Sequence, residues 1–115
     1  MYMNYKDFVE LKLKSPIEIS ENMTPHKAHL IHLILGIEGE AGELLDPIKK
    51  HVIYGKDLDM DNIVEELGDL EFFLEGLRSH LSLDRDEIIK KNQDKLNKRY
   101  ASKYTDKEAI ERNDK

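Results

Sequence analysis

The apolar positions of this chain recur at spacings of three and four, the period of an amphipathic helix, from near its start to near its end. Asn4 is placed to cap a first short helix, Tyr5 to about Lys14, with Tyr5, Phe8 and Leu11 on one side. Ser15-Pro16 ends it, and residues 15–24 read as a loop. Thr24-Pro25 joins an N-cap to a proline at the first helical position, so a second helix starts there and runs to about His51. Its core face is Leu30, Ile34, Ile37, Ala41, Leu44 and Ile48, flanked by Leu33 and Leu45, with a kink at Pro47. After a turn at Tyr54-Gly55-Lys56-Asp57, a third helix begins at Asp59 or Asp61 and carries Ile63, Leu67, Leu70, Leu74 and Leu77 to about Leu81. Asp84 or Asp86 caps a fourth, to about Tyr100, with the stripe Ile89, Leu96 and Tyr100. Thr105 to Glu108 has the form of a capping box for a last short helix. No strand pattern, linker or low-complexity segment interrupts this series.

The chemistry concentrates between Gly36 and Leu74. Glu40-Ala41-Gly42-Glu43-Leu44 is echoed by Glu66-Leu67-Gly68-Asp69-Leu70. Each phrase carries two acids at i and i+3, which lie on one face of a helix because three residues turn it by about 300°. Two such helices packed antiparallel bring four carboxylates together. Four convergent carboxylates imply raised pKa values or a bound cation, and an all-oxygen shell suits Mg²⁺ or Mn²⁺. The alternative is that these are surface acids on amphipathic helices. The apolar neighbours Ala41, Leu44, Leu67 and Leu70 set them at the edge of the core instead. Gly36, Gly39, Gly42, Gly68 and Gly76 all fall inside helices, each at a cost of roughly 1 kcal/mol relative to Ala. Close helix packing and a ligand site compete as explanations for Gly36 and Gly39. The shared place of Gly42 and Gly68 in the doubled phrase favours the site.

Asn92, Lys95 and Arg99 form a polar stripe on the fourth helix, able to hold phosphate oxygens or simply to be solvated. Lys50, seven residues after Glu43, can point into the same cleft. His26, His29 and His32 invite a zinc reading. However, there is no HExxH and no cysteine, and by helix rise His29 and His32 lie about 16 Å from Glu40 and Glu43. A structural or interface role fits them better.

Composition narrows the choice. The chain has 115 residues, 39% apolar and 37% charged, with a net charge of −6 and no cysteine. One domain is expected, with a highly charged surface over a thin core that oligomerisation would complete. The charge argues against a nucleic-acid binder. Its distribution is uneven: residues 57–75 hold eight acids and no Lys or Arg, whereas residues 90–104 hold six bases and one acid. The lack of cysteine removes disulfides, thiolate metal sites and a Cys nucleophile. No apolar stretch is long enough to span a membrane, and the first residues do not resemble a signal peptide. A soluble cytoplasmic protein is the expectation.

The run Leu35-Gly-Ile-Glu-Gly-Glu-Ala-Gly-Glu-Leu, then Ile48-Lys-Lys, Glu65-Glu-Leu-Gly-Asp-Leu and Asn92-Gln-Asp-Lys-Leu-Asn-Lys-Arg-Tyr resembles the MazG-like all-α nucleoside triphosphate pyrophosphohydrolases, over about residues 28–104. The resemblance implies an all-α, four- to five-helix bundle completed as a homodimer or a tetramer of two dimers. It places the family's metal-binding pairs on Glu40/Glu43 and Glu66/Asp69, with Mg²⁺ as cofactor and Mn²⁺ as a substitute. It places the nucleotide contacts on Lys95 and Arg99. Three departures stand out. Gly39-Glu40 replaces a double Glu, which leaves the identity of any base, Glu40 or Glu43, open. Glu71 and Glu75 stand where small or apolar residues are usual, and they bear on subunit packing. Arg99-Tyr100-Ala101 replaces Arg-Tyr-Pro.

The implied reaction is hydrolysis of a (deoxy)nucleoside triphosphate to the monophosphate and pyrophosphate. Leu33, Ile37, Phe72 and Phe73 are candidates for an apolar base pocket, though ordinary core or interface roles fit them better. The alternatives are a dUTP- or dCTP-specific enzyme, a phosphoribosyl-ATP hydrolase, or a non-enzymatic helical interaction module. A di-iron carboxylate bundle would need Glu-x-x-His pairs, which the chain lacks.

Overall fold

In the computed structural model, residues 3–100 and 105–111 are described. They form α1 (Tyr5–Lys12), α2 (Pro16–Glu21), α3 (Pro25–Glu43), α4 (Leu45–Val52), α5 (Met60–His80), α6 (Arg85–Arg99) and α7 (Asp106–Glu111), with no strand among the described residues. Side-chain caps fix three of the helix starts, whereas Asp84, expected to cap α6, stands at its N-cap without a side-chain bond. Asn4 Oδ1 accepts the Asp7 amide at 3.0 Å, Thr24 Oγ1 the Lys27 amide at 3.2 Å and Asp59 Oδ1 the Asn62 amide at 3.1 Å. Glu108, the second member of the expected capping box, has a side chain outside the described residues, as do Ala101 and Lys103 of the C-terminal segment.

Two boundaries differ from expectation. Residues 15–24 are not all loop, because α2 occupies Pro16–Glu21. Ser15-Pro16 both ends α1 and opens α2, with an extended cap residue and a proline at the first helical position, the same signal that opens α3. The long second helix is interrupted at Leu44 rather than merely bent at Pro47. Pro47 has no N–H to give to the Glu43 carbonyl, and its ring crowds that oxygen. The chain therefore ends one helix at Glu43 and places Pro47 in the first turn of the next.

The only extensive seam among the described helices is between α3 and α5, with α4 packed on α3. The seam is antiparallel: His29 meets His80, a Cβ on Gly76 would meet Leu33 Cδ2 at 2.9 Å, Gly36 lies under the Phe73 ring, and Glu40 lies beside Asp69. The inward stripe of α3 is Leu30, Leu33, Ile37, Glu40 and Leu44; that of α5 is Ile63, Glu66, Leu70, Phe73 and Leu77. This corrects the expected core faces. Leu33, expected at the flank, is the most buried apolar side chain at 4% exposure, whereas Ile34, Ala41, Ile48 and Leu67 face outward. Gly36 is thereby a packing glycine, since a Cβ there would collide with Phe73; Gly39, Gly42 and Gly68 have no neighbour at the Cβ position within the chain.

Among the described residues no closed core forms around this seam. Leu33 and Pro47 are the buried apolar residues among those described. The radius of gyration is 20.5 Å, where a compact chain of this length would have about 13 Å. The accessible surface is 9866 Å², where a folded monomer of this mass would show about 6,500 Å².

Candidate metal centre

The acids of the doubled phrase meet where α3 and α5 cross. Glu40 and Glu66 occupy inward stripe positions that would otherwise be apolar, and Asp69 lies one turn along α5 from Glu66. Carboxylate oxygens of Glu40, Glu66 and Asp69 all lie within 4.8 Å of one another, a spacing that one cation can bridge. Glu43 ends α3 just before the proline-imposed break. It is outside this trio but close enough for its charge to act on Glu66.

Glu66 is the constrained member. Only 9% of its surface is exposed, and Glu66 Oε2 is buried without a hydrogen-bond partner. Its carboxyl is pushed up to about 7. The adjacent Glu40 carboxyl, with which it can share a proton, is the largest cause; burial follows, and then the negative charges of Glu43, Glu40 and Asp69. Every influence on it favours the protonated form, and no cationic side chain is among them. A buried oxygen with no donor, beside two more carboxylates, is a donor set that fits a hard divalent cation such as Mg²⁺ or Mn²⁺.

The other candidate residues are not gathered at this point. Lys50 on α4 pairs with Asp46 at 2.8 Å, and this hydrogen bond raises its pKa. It lines a separate cleft with Pro47, Lys56, Asp57, Asp59 and Asn62. That cleft is shaped by the turn after α4. The Lys56 amide donates to the Lys50 carbonyl at 3.1 Å, His51 Nδ1 lies 2.7 Å from the Lys56 carbonyl, and Gly55 takes φ +66°, which glycine adopts without strain. Asn92, Lys95 and Arg99 lie on α6, which forms no extensive seam with the other described helices. Asn92 and Lys95 are exposed and Arg99 is half-buried.

Of the proposed pocket residues, Leu33 and Phe73 serve the seam, Ile37 is half-buried and Phe72 is exposed. The histidines take the structural role. His26 stacks on His80 at 4.7 Å between ring centroids, His29 meets His80 edge-on at 4.6 Å and His32 meets Phe73 at 6.0 Å. The carboxylate trio is the one set among the described residues with metal-holding geometry.

Two further features were not singled out from sequence. His80 closes the far end of the seam; a lone histidine in a helix's last turn gives no signal of that. Arg78 bonds both Glu71 and Glu75, with its Nε 2.9 Å from Glu75 Oε2, so the two acids are held on their own helix. The i+3 and i+7 spacing of these charges was legible.

A family model, the MazG nucleotide pyrophosphohydrolase domain, matches residues 29–103. Comparison with curated proteins and with solved structures gave no match. The matched stretch begins at the histidine end of α3, contains both acidic phrases and reaches past α6, well over half the chain. On that ground this chain belongs to the MazG nucleotide pyrophosphohydrolase domain family.

Proposed function

We propose that the protein hydrolyses (deoxy)nucleoside triphosphates to the monophosphate and pyrophosphate with Mg²⁺, for which Mn²⁺ can substitute. The observation that carries this reading is the Glu40–Glu66–Asp69 cluster with its donorless Glu66 oxygen. These three residues hold the cation, with Glu43 beside them. A divalent cation bound there supplies positive charge against the triphosphate and acidifies a water toward neutral pH.

In this reading Glu43, near the trio but outside it, orients the attacking water and takes its proton. The water oxygen bonds to the α-phosphorus, the bond from that phosphorus to the oxygen bridging to the β-phosphorus breaks, and pyrophosphate leaves with the bridging oxygen. Lys95 and Arg99 hold the phosphates and offset the charge that develops on the leaving group, and Asn92 adds an amide donor to them. Lys50, turned into the neighbouring cleft, contacts the nucleotide away from the reacting phosphorus.

No described helix is long and apolar enough to cross a membrane. A cytoplasmic setting, where Mg²⁺ and nucleoside triphosphates meet, suits this reading. Assembly as a homodimer, or a tetramer of two dimers, suits the exposed apolar faces of α3 and α5.

Incubation with each ribo- and deoxynucleoside triphosphate plus Mg²⁺, resolved by anion exchange, tests the reading. Monophosphate with pyrophosphate is expected. Diphosphate with orthophosphate, or no turnover with Mg²⁺ or Mn²⁺, contradicts it.

A further inference from the structure

The cleft between α4 and the start of α5 holds polar groups that the protein itself leaves without partners. It is lined by Pro47, Lys50, Lys56, Asp57, Asp59 and Asn62 and has a volume of about 240 Å³. Two of these are engaged: Lys50 pairs with Asp46, and Asp59 Oδ1 accepts the Asn62 backbone amide. The half-buried Asn62 side-chain amide, the Lys56 ammonium and the Asp57 carboxylate have no hydrogen bond or ion pair among the described residues. The wall that carries them is already fixed, because the Lys56 amide donates to the Lys50 carbonyl and the Lys56 carbonyl lies 2.7 Å from His51 Nδ1. A preformed cleft with convergent, unpartnered polar groups has the form of a ligand subsite.

Its position and chemistry say which part of a nucleotide it suits. Asn62 precedes Glu66 by four residues on one face of α5, about 6 Å along the helix, so the cleft begins one turn from the carboxylates. Its charge does not suit phosphate: two ammoniums, Lys50 and Lys56, meet three carboxylates, Asp46, Asp57 and Asp59. Its wall does not suit the face of a base, which binds best against aromatic or apolar side chains, because Pro47 is the one apolar residue in the lining. A sugar has neither requirement. Each hydroxyl gives one hydrogen and accepts others, and carboxylate, amide and ammonium groups match it. The volume is below the roughly 300 Å³ at which sites for whole drug-sized ligands begin, so there is room for one part of a nucleotide.

We infer that this cleft binds the sugar of the nucleotide, with the Asn62 amide and the Asp57 carboxylate bonded to its hydroxyls and Lys56 donating beside them. The inference rests on the proposed hydrolysis for its orientation. With the α-phosphorus at Glu40, Glu66 and Asp69, the sugar is the part joined directly to it and falls one helical turn away. The enzyme then reads the hydroxyls of the sugar, by residues that take no part in the chemistry at phosphorus and whatever base the sugar carries.

Binding gives the first test. Calorimetry with Mg²⁺ compares α,β-methylene triphosphates of one base, which resist hydrolysis at the α-phosphorus, in their ribo, 2′-deoxy and 2′,3′-dideoxy forms. The dideoxy compound, with no sugar hydroxyl to bond, is expected to bind at least about tenfold more weakly than the better of the other two. Asn62→Ala keeps the Asp59 cap, which uses the backbone amide, and is expected to shrink that gap. Asp57→Ala, in the exposed turn, is a second variant with the same expectation. Equal binding of the three sugars by the wild type overturns the inference. Variants that weaken all three alike and keep the gap have lost structure only, and they overturn the assigned contacts.

Turnover separates this inference from the reaction on which it rests. Across nucleotides of different bases, the wild type is expected to show the same ordering of sugars in kcat/KM, carried mainly by KM. If Asn62→Ala reorders the bases and leaves the sugar gap intact, the cleft holds the base and the inference fails. Nucleotides that bind with the sugar gap yet are not hydrolysed would overturn the hydrolytic reading and leave the sugar cleft standing. Hydrolysis without the gap would do the reverse, and binding of no nucleotide would overturn both.

Discussion

Glu40 and Glu66 face each other from stripe positions of α3 and α5 that the rest of the seam fills with leucine, isoleucine, phenylalanine and glycine. Two carboxyls side by side in the only extensive helix seam among the described residues are unfavourable by themselves, and Glu66 is held toward its protonated form as a result. In the proposed reading a proton or a cation lies between them and offsets that charge.

The first prediction concerns pH. The Glu66 carboxyl is raised from its ordinary value of 4.5 to about 7, chiefly by Glu40. Between those values the folded protein binds more protons than the unfolded chain, so stability falls as pH rises through that window and levels off above it. Thermal melts in EDTA from pH 4.5 to 8 should show this fall, and it should be reduced in Glu66→Gln. Saturating Mg²⁺, which binds the deprotonated cluster, should raise the melting temperature most at the upper end. A melting temperature that rises steadily over this range in EDTA, equally in wild type and variant, would contradict the assignment.

Removal of single cluster oxygens gives the second. Glu40→Gln and Asp69→Asn should each weaken Mg²⁺ binding, measured by calorimetry, and lower kcat by at least about a hundredfold, with a modest change in fold stability. Lys50→Ala should leave Mg²⁺ binding unchanged, because Lys50 pairs with Asp46 and lines a different cleft.

The glycines give the third. Gly36→Ala drives a methyl group into the Phe73 ring and should cost about 1–3 kcal/mol despite the better helix propensity of alanine. Gly76→Ala meets only the end of the flexible Leu33 side chain, at 2.9 Å, and should cost less. Urea unfolding of the two variants ranks them, and an equal or reversed order would contradict the register of the seam.

How far the site was legible follows from these same residues. The doubled acid–Gly–acid phrase marked the cluster because both helices needed the same i, i+3 spacing. The caps Asn4, Thr24 and Asp59 were legible because a side-chain oxygen before an apolar run has a single geometric use. The core face was less legible. From Ile63, both Glu66 and Leu67 continue a helical stripe, and hydropathy selects the leucine, which is 50% exposed, over the glutamate, which is buried. A chain that leaves apolar faces for a partner carries more than one apolar stripe per helix, and periodicity alone does not tell which is internal. The part played by α6 was illegible for another reason: its charges advertise a phosphate contact, but among the described helices it forms no extensive seam that would fix where they act.

Assembly supplies the fourth prediction. Sedimentation at micromolar concentration should show at least twice the 13.5 kDa chain mass. Phe72→Glu places a charge on a residue that is 71% exposed in the single chain and should shift the protein toward monomer without loss of helix. A wild type that sediments as a single chain would contradict the covering of these faces.

The central claim is attack of water on the α-phosphorus at the carboxylate seam. The most direct measurement is turnover of a nucleoside triphosphate in ¹⁸O-labelled water with Mg²⁺, followed by mass spectrometry of the products, alongside Glu66→Gln. The account predicts label in the monophosphate, none in pyrophosphate, and turnover much reduced in the variant. Label in pyrophosphate or orthophosphate, or equal turnover by the variant, would contradict it.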